Sequence, residues 1–221
     1  MRFSNILVAP TCISKFVRLK RLKKFYSQDV IECGCDEAGR GCLAGPVVAA
    51  AVILAKNKYI RGLNDSKKLN PEQRNLLRKE IEKKALAWKV EFVQPKEIDQ
   101  INILQASITA MKRAVNKLEV EPHLILVDGK YFVPHEKYEH VCIIKGDSKY
   151  QSIAAASILA KTYRDEYMER AHLDFPNYSW NQNKGYPTHV HRKAIIDYGT
   201  TWLHRKSFRL YPLPEQLSLF S

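Results

Sequence analysis

The chain reads as one mixed α/β domain, and three observations lead there. Apolar strand-like runs alternate with amphipathic helical runs between residues 30 and 198. The first two strand-like runs lie close together in hairpin fashion, ahead of any helix. At 221 residues and 45% hydrophobic, the chain can bury one substantial core.

In chain order, residues 1–28 form a basic extension whose order the sequence leaves open. They hold seven basic residues (Arg2, Lys15, Arg18, Lys20, Arg21, Lys23, Lys24) and no acid. An organellar transit peptide, a nucleic-acid arm or an over-early start codon would each account for it. Residues 30–36 and 46–54 have the apolar and β-branched content of buried strands. Asn64-Asp65-Ser66-Lys67-Lys68 is polar loop. Asn70-Pro71-Glu72-Gln73 is a helix start: a cap, a proline in the first turn, and a glutamine three residues after the cap. The spacing of Leu76, Leu77 and Ile81 carries that helix to about Leu86.

Residues 88–93 alternate as a half-exposed strand does. Residues 101–118 place Ile101, Leu104, Ile108, Met111 and Val115 three and four apart, predicting an amphipathic helix. Short apolar strands at 123–127 and 141–144 end in Asp128-Gly129 and Lys145-Gly146-Asp147. A long helix over 152–175 opens with alanine-rich turns that permit close packing on a sheet, and a last helix over 188–198 stops at Gly199.

The bulk numbers restrict function. With 36 Lys+Arg against 23 Asp+Glu, the net charge of +13 favours a polyanionic partner. No apolar run approaches the roughly 18–20 residues of a membrane-spanning helix. Residues 6–13 are interrupted by Pro10 and Thr11, which argues against a secretory signal. Five cysteines (Cys12, Cys33, Cys35, Cys42, Cys142) lack the paired spacing of a structural zinc site and read as reduced thiols of a cytosolic protein.

Acids recur in one context: each follows an apolar strand and precedes or abuts glycine. They are Asp36-Glu37, Asp128 and Asp147. Ligand sites in open α/β sheets lie off strand ends. Four carboxylates converging there would repel one another unless divalent cations bridged them. Oxygen ligands without nearby His or Cys favour Mg²⁺ or Mn²⁺, and two such ions suit phosphodiester hydrolysis. An Asp-Gly after a strand is also ordinary turn chemistry. Asp165 is a rival fourth ligand, or a salt-bridge partner of Arg164 or Lys161.

The run Asp36-Glu37-Ala38-Gly39-Arg40-Gly41-Cys42-Leu43-Ala44-Gly45-Pro46-Val47 resembles the signature of type 2 ribonuclease H, the bacterial ribonuclease HII family. The resemblance continues through Leu63-Asn64-Asp65-Ser66-Lys67-Lys68-Leu69, Val127-Asp128-Gly129 and Lys145-Gly146-Asp147-Ser148. It then takes in residues 154–161, Lys184-Gly185-Tyr186-Pro187-Thr188 and His204-Arg205-Lys206-Ser207-Phe208. It implies an RNase H-like fold over residues 29–209: a mixed central sheet flanked by helices, with a small helical carboxyl-terminal part.

The activity implied is a metal-dependent endonuclease, using two Mn²⁺ or Mg²⁺ ions. It cuts RNA in RNA/DNA hybrids and single ribonucleotides embedded in duplex DNA, leaving 3′-hydroxyl and 5′-phosphate ends. The family's four acids map onto Asp36, Glu37, Asp128 and Asp147. The backbone of Gly39-Arg40-Gly41 would read the ribose 2′-hydroxyl, Tyr186 would pack on the neighbouring deoxyribose, and Lys67 and Lys68 are candidate phosphate contacts. Asn183 departs from the histidine that relatives often carry there. Beside this stand a same-fold nuclease without 2′-hydroxyl selection and a non-catalytic hybrid-binding protein.

Residues 210–221 form a tail with Pro212 and Pro214. Its Gln216-Leu217-Ser218-Leu219-Phe220 resembles the peptide that docks bacterial proteins onto the replication sliding clamp, through Gln216, Leu217, Leu219 and Phe220. A fold-back of this segment onto its own core is the other reading. The expectation is a monomer of the bacterial cytoplasm with no membrane partner.

Overall fold

The computed structural model describes residues 21–211. Strands β1 (Glu32–Ala38), β2 (Val47–Leu54), β3 (Ala85–Val93), β4 (Leu124–Asp128) and β5 (Glu139–Ile143) make one mixed sheet in the order β3-β2-β1-β4-β5. The first three form an antiparallel meander, while β4 and β5 run parallel to β1. Helices are α1 (Pro71–Lys84), α2 (Pro95–Asn116), α3 (Gln151–Asp174), the single turn α4 (Trp180–Asn183) and α5 (His189–Tyr198).

Strand alternation divides the core between the two faces of the sheet. Cys33, Cys35, Val47, Ala49 and Ala51 pack with Ile98, Ile108 and Met111 of α2. Ala50 and Val52 pack instead against the alanine-rich start of α3 and against Leu77 and Ile81 of α1. A third cluster joins Leu43, Ala44 and Met168 to Tyr178, Trp180, Ile195 and Leu203, so the small carboxyl-terminal helical part is seated on the loop after β1.

The α3 face of β1 explains one glycine. A Cβ on Gly34 would lie 2.2 Å from the carbonyl carbon of Ser152, a backbone atom that cannot step aside. Gly34 therefore sets how closely the helix approaches the strand.

Two elements differ from the sequence expectation. Helix α1 stops at Lys84 because Ala85 is already extended and pairs with Leu54; continuous pairing along β2 overrides the helix preference of the following residues. Helix α2 starts at Pro95 and is broken at Asn102, whose φ of 64° is left-handed. The Asn102 side chain then accepts from the backbone N–H groups of Leu104 and Gln105 at 3.0 and 3.1 Å, capping the amphipathic segment that the spacing had predicted. The capping box of α1 forms as expected, with Asn70 and Gln73 exchanging bonds of 2.8 and 3.0 Å.

Residues 21–28 lie against the body. Leu22 is buried with Ile60 and Leu63. The backbone of Lys23 donates to the Lys149 carbonyl at 2.8 Å and accepts from the Gln151 N–H at 3.0 Å. Cys33 and Cys35 are buried, free thiols with sulfurs 3.8 Å apart. Residues 1–20, and the tail residues Gln216, Leu217, Leu219 and Phe220, lie outside the described residues.

Replacing Gly34 with alanine is expected to lower the melting temperature by roughly 4–10 °C, from overpacking against a backbone that must move. Calorimetry checks this, and an unchanged melting temperature would show that α3 has room to retreat.

Candidate active site

The parallel pairing of β1 with β4 puts Cys35 opposite Val127, and so brings Asp36 and Asp128 side by side at the strand ends. Asp147 arrives from the loop after β5, in a 3-10 turn over Gly146–Ser148 entered through left-handed Lys145. The Gly146 N–H donates to Asp128 Oδ1 at 2.7 Å and ties this loop to β4. One carboxylate oxygen from each of Asp36, Asp128 and Asp147 falls within 4.8 Å of the other two. It is the one such group of potential metal ligands among the described residues.

Electrostatics mark the group as unfavourable by itself. Burial pushes the Asp36 carboxyl well above the usual carboxylate range, helped by the charges of Glu37 and Asp128, against a stabilising Ser157 hydroxyl. Asp128 is raised by burial, offset in part by the Gly146 N–H and the Lys67 charge. Asp147 is pushed up to about 6, by burial first and then by Asp128 and Asp65. Hard oxygen donors that are dry, close and mutually repelling match what a small divalent cation requires.

Glu37 stands apart from the trio. Its charge still acts on Asp36, and its carboxylate accepts from Arg40 Nη1 at 3.1 Å. Burial raises its pKa and Arg40 pulls it back. Lys67, in the 3-10 turn Ser66–Lys68 capped by Asp65, faces the cluster closely enough to lower both Asp128 and Asp147. Asp165 is not among the converging acids: it pairs with Lys161 at 2.8 Å and Arg74 at 3.7 Å.

Beside the acids, the turn after β1 rests on two fully buried arginines. Arg164 donates to the carbonyls of Pro46 (3.0 Å), Lys184 (2.9 Å) and Ala44 (3.1 Å). Arg205 donates to the carbonyls of Gly45 and Arg40, both at 3.0 Å. Gly39, at φ 93°, lies flat on the Arg164 guanidinium; a Cβ there would sit 2.0 Å from Nε. A Cβ on Gly41 would meet nothing within 4 Å, so no described residue excludes a side chain at that position.

Tyr186 stands beside the turn after β1. Its ring is part-exposed, and it lies 5.6 Å from Lys161 Nζ and 5.9 Å from the Arg164 guanidinium carbon. Its loop is fastened by the Leu43 N–H to the Gly185 carbonyl at 2.8 Å. Asn183 supports the same loop, accepting from the Gly185 N–H at 2.8 Å and donating to the Tyr178 carbonyl at 2.7 Å. A groove between α1, α3 and residues 181–186 runs up to Tyr186, but its bases are largely paired: Arg78 with Glu82 and Glu166, Lys184 with Glu169.

Sequence reasoning missed Ser157 and the bracing role of Arg164 and Arg205. Arg164 carried a readable signal, since it shares a helical stripe with buried Ala160 and Met168. Arg205 carried none beyond its place in a recognisable run.

The ribonuclease HII family model matches residues 33–211. The chain is 59% identical over 189 residues to ribonuclease HII of Bacteroides thetaiotaomicron, covering 86% of this chain and 94% of the relative. Its fold is similar to the crystal structure of ribonuclease H2 from Pyrococcus horikoshii OT3, with a TM-score of 0.69 and 27% identity over 81% of this chain and 94% of that one. It is equally similar to Archaeoglobus fulgidus RNase HII in its complex with PCNA, at a TM-score of 0.69 and 26% identity over 84% of this chain and 98% of that one. A family match across the sheet, the acids and the carboxyl-terminal part, together with that level of identity, means that the chain belongs to the ribonuclease HII family, enzymes that cleave RNA in RNA/DNA hybrids.

Proposed function

We propose that the chain hydrolyses the phosphodiester on the 5′ side of a ribonucleotide, in hybrids and at single ribonucleotides in duplex DNA, leaving 3′-hydroxyl and 5′-phosphate ends. The observation that carries this reading is the convergence of Asp36, Asp128 and Asp147 within 4.8 Å beside a turn open to a ligand at Gly41. These three acids would hold Mn²⁺ or Mg²⁺, and Glu37 joins them once its pair with Arg40 opens. Bound there, two such ions would supply activation of the attacking water and neutralisation of charge on the leaving oxygen.

The protein's own part is selection and alignment. Backbone groups of Gly39-Arg40-Gly41 meet the ribose 2′-hydroxyl, which separates RNA from DNA. Tyr186 packs on the next sugar, where a missing 2′-hydroxyl leaves room. Lys67, already facing the acids, takes a phosphate oxygen, and Arg40, released by Glu37, takes another.

The tail residues Gln216, Leu217, Leu219 and Phe220 dock on a sliding clamp, a reading supported by the peptide pattern and by the relative solved with PCNA. No helix among the described residues is long and apolar enough to cross a membrane. Work on nucleic acid beside the replication clamp belongs to the cytoplasm of a bacterium, with the chain acting as a monomer.

A duplex with one ribonucleotide, a long hybrid and an all-DNA duplex test the main claim. Cleavage of the first two on the 5′ side of ribose, abolished by chelator and restored by Mg²⁺ or Mn²⁺, is expected. Asp128→Asn should lose at least about a hundredfold in kcat. Cutting of all-DNA at a similar rate, or cutting in excess chelator, would defeat the reading.

Asp147 gives a pH signature in the metal-free protein. Its folded pKa of about 6 lies above the ordinary 3.8, so its contribution to stability is complete below the lower value and lost as pH rises through the upper one. Asp147→Asn should therefore melt higher than the parent in chelator near neutral pH, by about 2–4 °C per kcal/mol of relieved repulsion. The gap should narrow as pH falls below about 6 and close near 3.8. A variant that melts lower at neutral pH would contradict the repulsion.

Deleting residues 216–220 should leave cleavage of short duplexes unchanged and abolish binding to a bacterial sliding clamp in a surface-binding assay. Clamp binding that survives the deletion would remove the tail from the function.

A further inference from the structure

Deep in the carboxyl-terminal helical part, His191 and His204 meet with rings 5.4 Å apart, and both are almost completely buried. Their partners settle where each proton sits. The Thr201 N–H can only donate, and it reaches His204 Nδ1 at 2.9 Å, which leaves the proton of that neutral ring on Nε2. His204 Nε2 in turn lies 3.3 Å from His191 Nε2. The Trp180 indole N–H, another obligate donor, ends on the same His191 Nε2 at 3.0 Å. That nitrogen is therefore an acceptor, and the His191 proton sits on Nδ1, 2.9 Å from the carbonyl of Tyr186. Burial lowers the pKa of both rings, His204 to about 4, in keeping with a neutral pair.

We propose that the His191–His204 pair positions Tyr186, and through it sets the preference for a ribonucleotide followed by a deoxyribonucleotide. The inference rests on the role given above to Tyr186. Neither histidine touches substrate; both are positioning residues. The Tyr186 carbonyl accepts two bonds, from the Thr188 N–H at 2.8 Å and from His191 Nδ1. Its N–H is held by the Asn183 carbonyl at 2.9 Å. With the backbone fastened on both sides, only the ring is left free to meet a sugar. The first of the carbonyl bonds is a local turn contact. The second comes from α5 and is the one that ties the tyrosine to the core through Trp180 and His204.

The test compares kcat/KM on a single-ribonucleotide duplex with kcat/KM on a long hybrid. The proteins are the parent, Tyr186→Ala, His191→Gln, His191→Asn and the double variant Tyr186→Ala with His191→Gln. Glutamine can reach the position of Nε2, keeping Trp180 and His204 but losing the donor to the Tyr186 carbonyl. Asparagine places an amide N–H near Nδ1 and keeps that donor. His191→Gln should lower the single-ribonucleotide to hybrid ratio by roughly tenfold, the loss of one buried hydrogen bond that aligns the ring, while His191→Asn, which keeps that donor but gives up the contacts of Trp180 and His204, should lower it by only about threefold.

The double variant should be no worse in this ratio than Tyr186→Ala alone, because His191 acts through the tyrosine. Equal losses on both substrates, or a double variant showing the product of the two single effects, would mean that the pair only holds the core and would overturn the proposal. If Tyr186→Ala leaves the ratio untouched, the reading of the tyrosine itself fails and the proposal goes with it. Should His191→Gln not fold, Trp180→Phe removes one bond to Nε2 with the ring retained. A smaller fall in the same ratio is then expected, and an unchanged ratio overturns the proposal.

Discussion

The close approach of α3 to β1 is the constraint on which the rest of the site depends. An α-helix advances about 1.5 Å per residue and a strand about 3.3 Å. The helix from Ser152 to Arg164 therefore covers about 18 Å, and the strand from Gly34 to Gly39 about 17 Å. Contact at the first pair delivers contact at the last. Gly34 sits on the Ser152 backbone, the Ser157 hydroxyl stabilises Asp36, and Gly39 lies on the guanidinium of Arg164. Farther along, Met168 lies beneath Gly45 and Gly185. A helix standing off by the width of one methyl group would lose all of these together.

That geometry places unlike charges in neighbouring dry regions. The acids gather at the strand ends, where they repel and where burial disfavours ionisation. The buried guanidiniums of Arg164 and Arg205 make no ion pair among the described residues and bond to main-chain carbonyls. Desolvation and the like charge of Arg164 bring Arg205 down to about 10, still protonated at neutral pH. A planar fork of donors suits this task, because it gathers carbonyls from separate segments and is compensated by their dipoles. The acids suit a divalent cation, and on the proposed reading the positive charge under the turn would favour a phosphodiester lying against it.

Much of this was legible because its signals are local. The capping box of α1, the apolar runs of β1 and β2, and acids followed by glycine at strand ends can be read within a few residues. What failed depended on distant partners. Nothing near Lys84 announces that β2 needs a full-length neighbour, so the end of α1 was placed two residues late. The break at Asn102 follows from its left-handed backbone, which no hydrophobic spacing reveals. The bond from Arg40 to Glu37 is a side-chain contact that the adjacency of Asp36 and Glu37 in the chain does not announce. The meeting of His191 with His204 is created by the turn after α5 and has no trace in either residue's neighbours.

Selection of one sugar over another by main-chain groups places a demand on rigidity that these braces meet. Ribose and deoxyribose differ by a single oxygen, so a site that tells them apart must hold its groups to a fraction of an ångström. On the proposed reading, two adjacent sugars are judged at once, by the turn at Gly39-Arg40-Gly41 and by Tyr186. What matters then is the distance between the two judges. Arg164 spans it with one rigid group: Nε and Nη2 hold Pro46 and Ala44 on the turn side, and Nη1 holds Lys184 on the tyrosine side. The Leu43 N–H to the Gly185 carbonyl closes the same gap a second time. Motion of either loop alone is thereby opposed, and the loops can move only as a unit, which leaves the spacing between the sugar contacts unchanged.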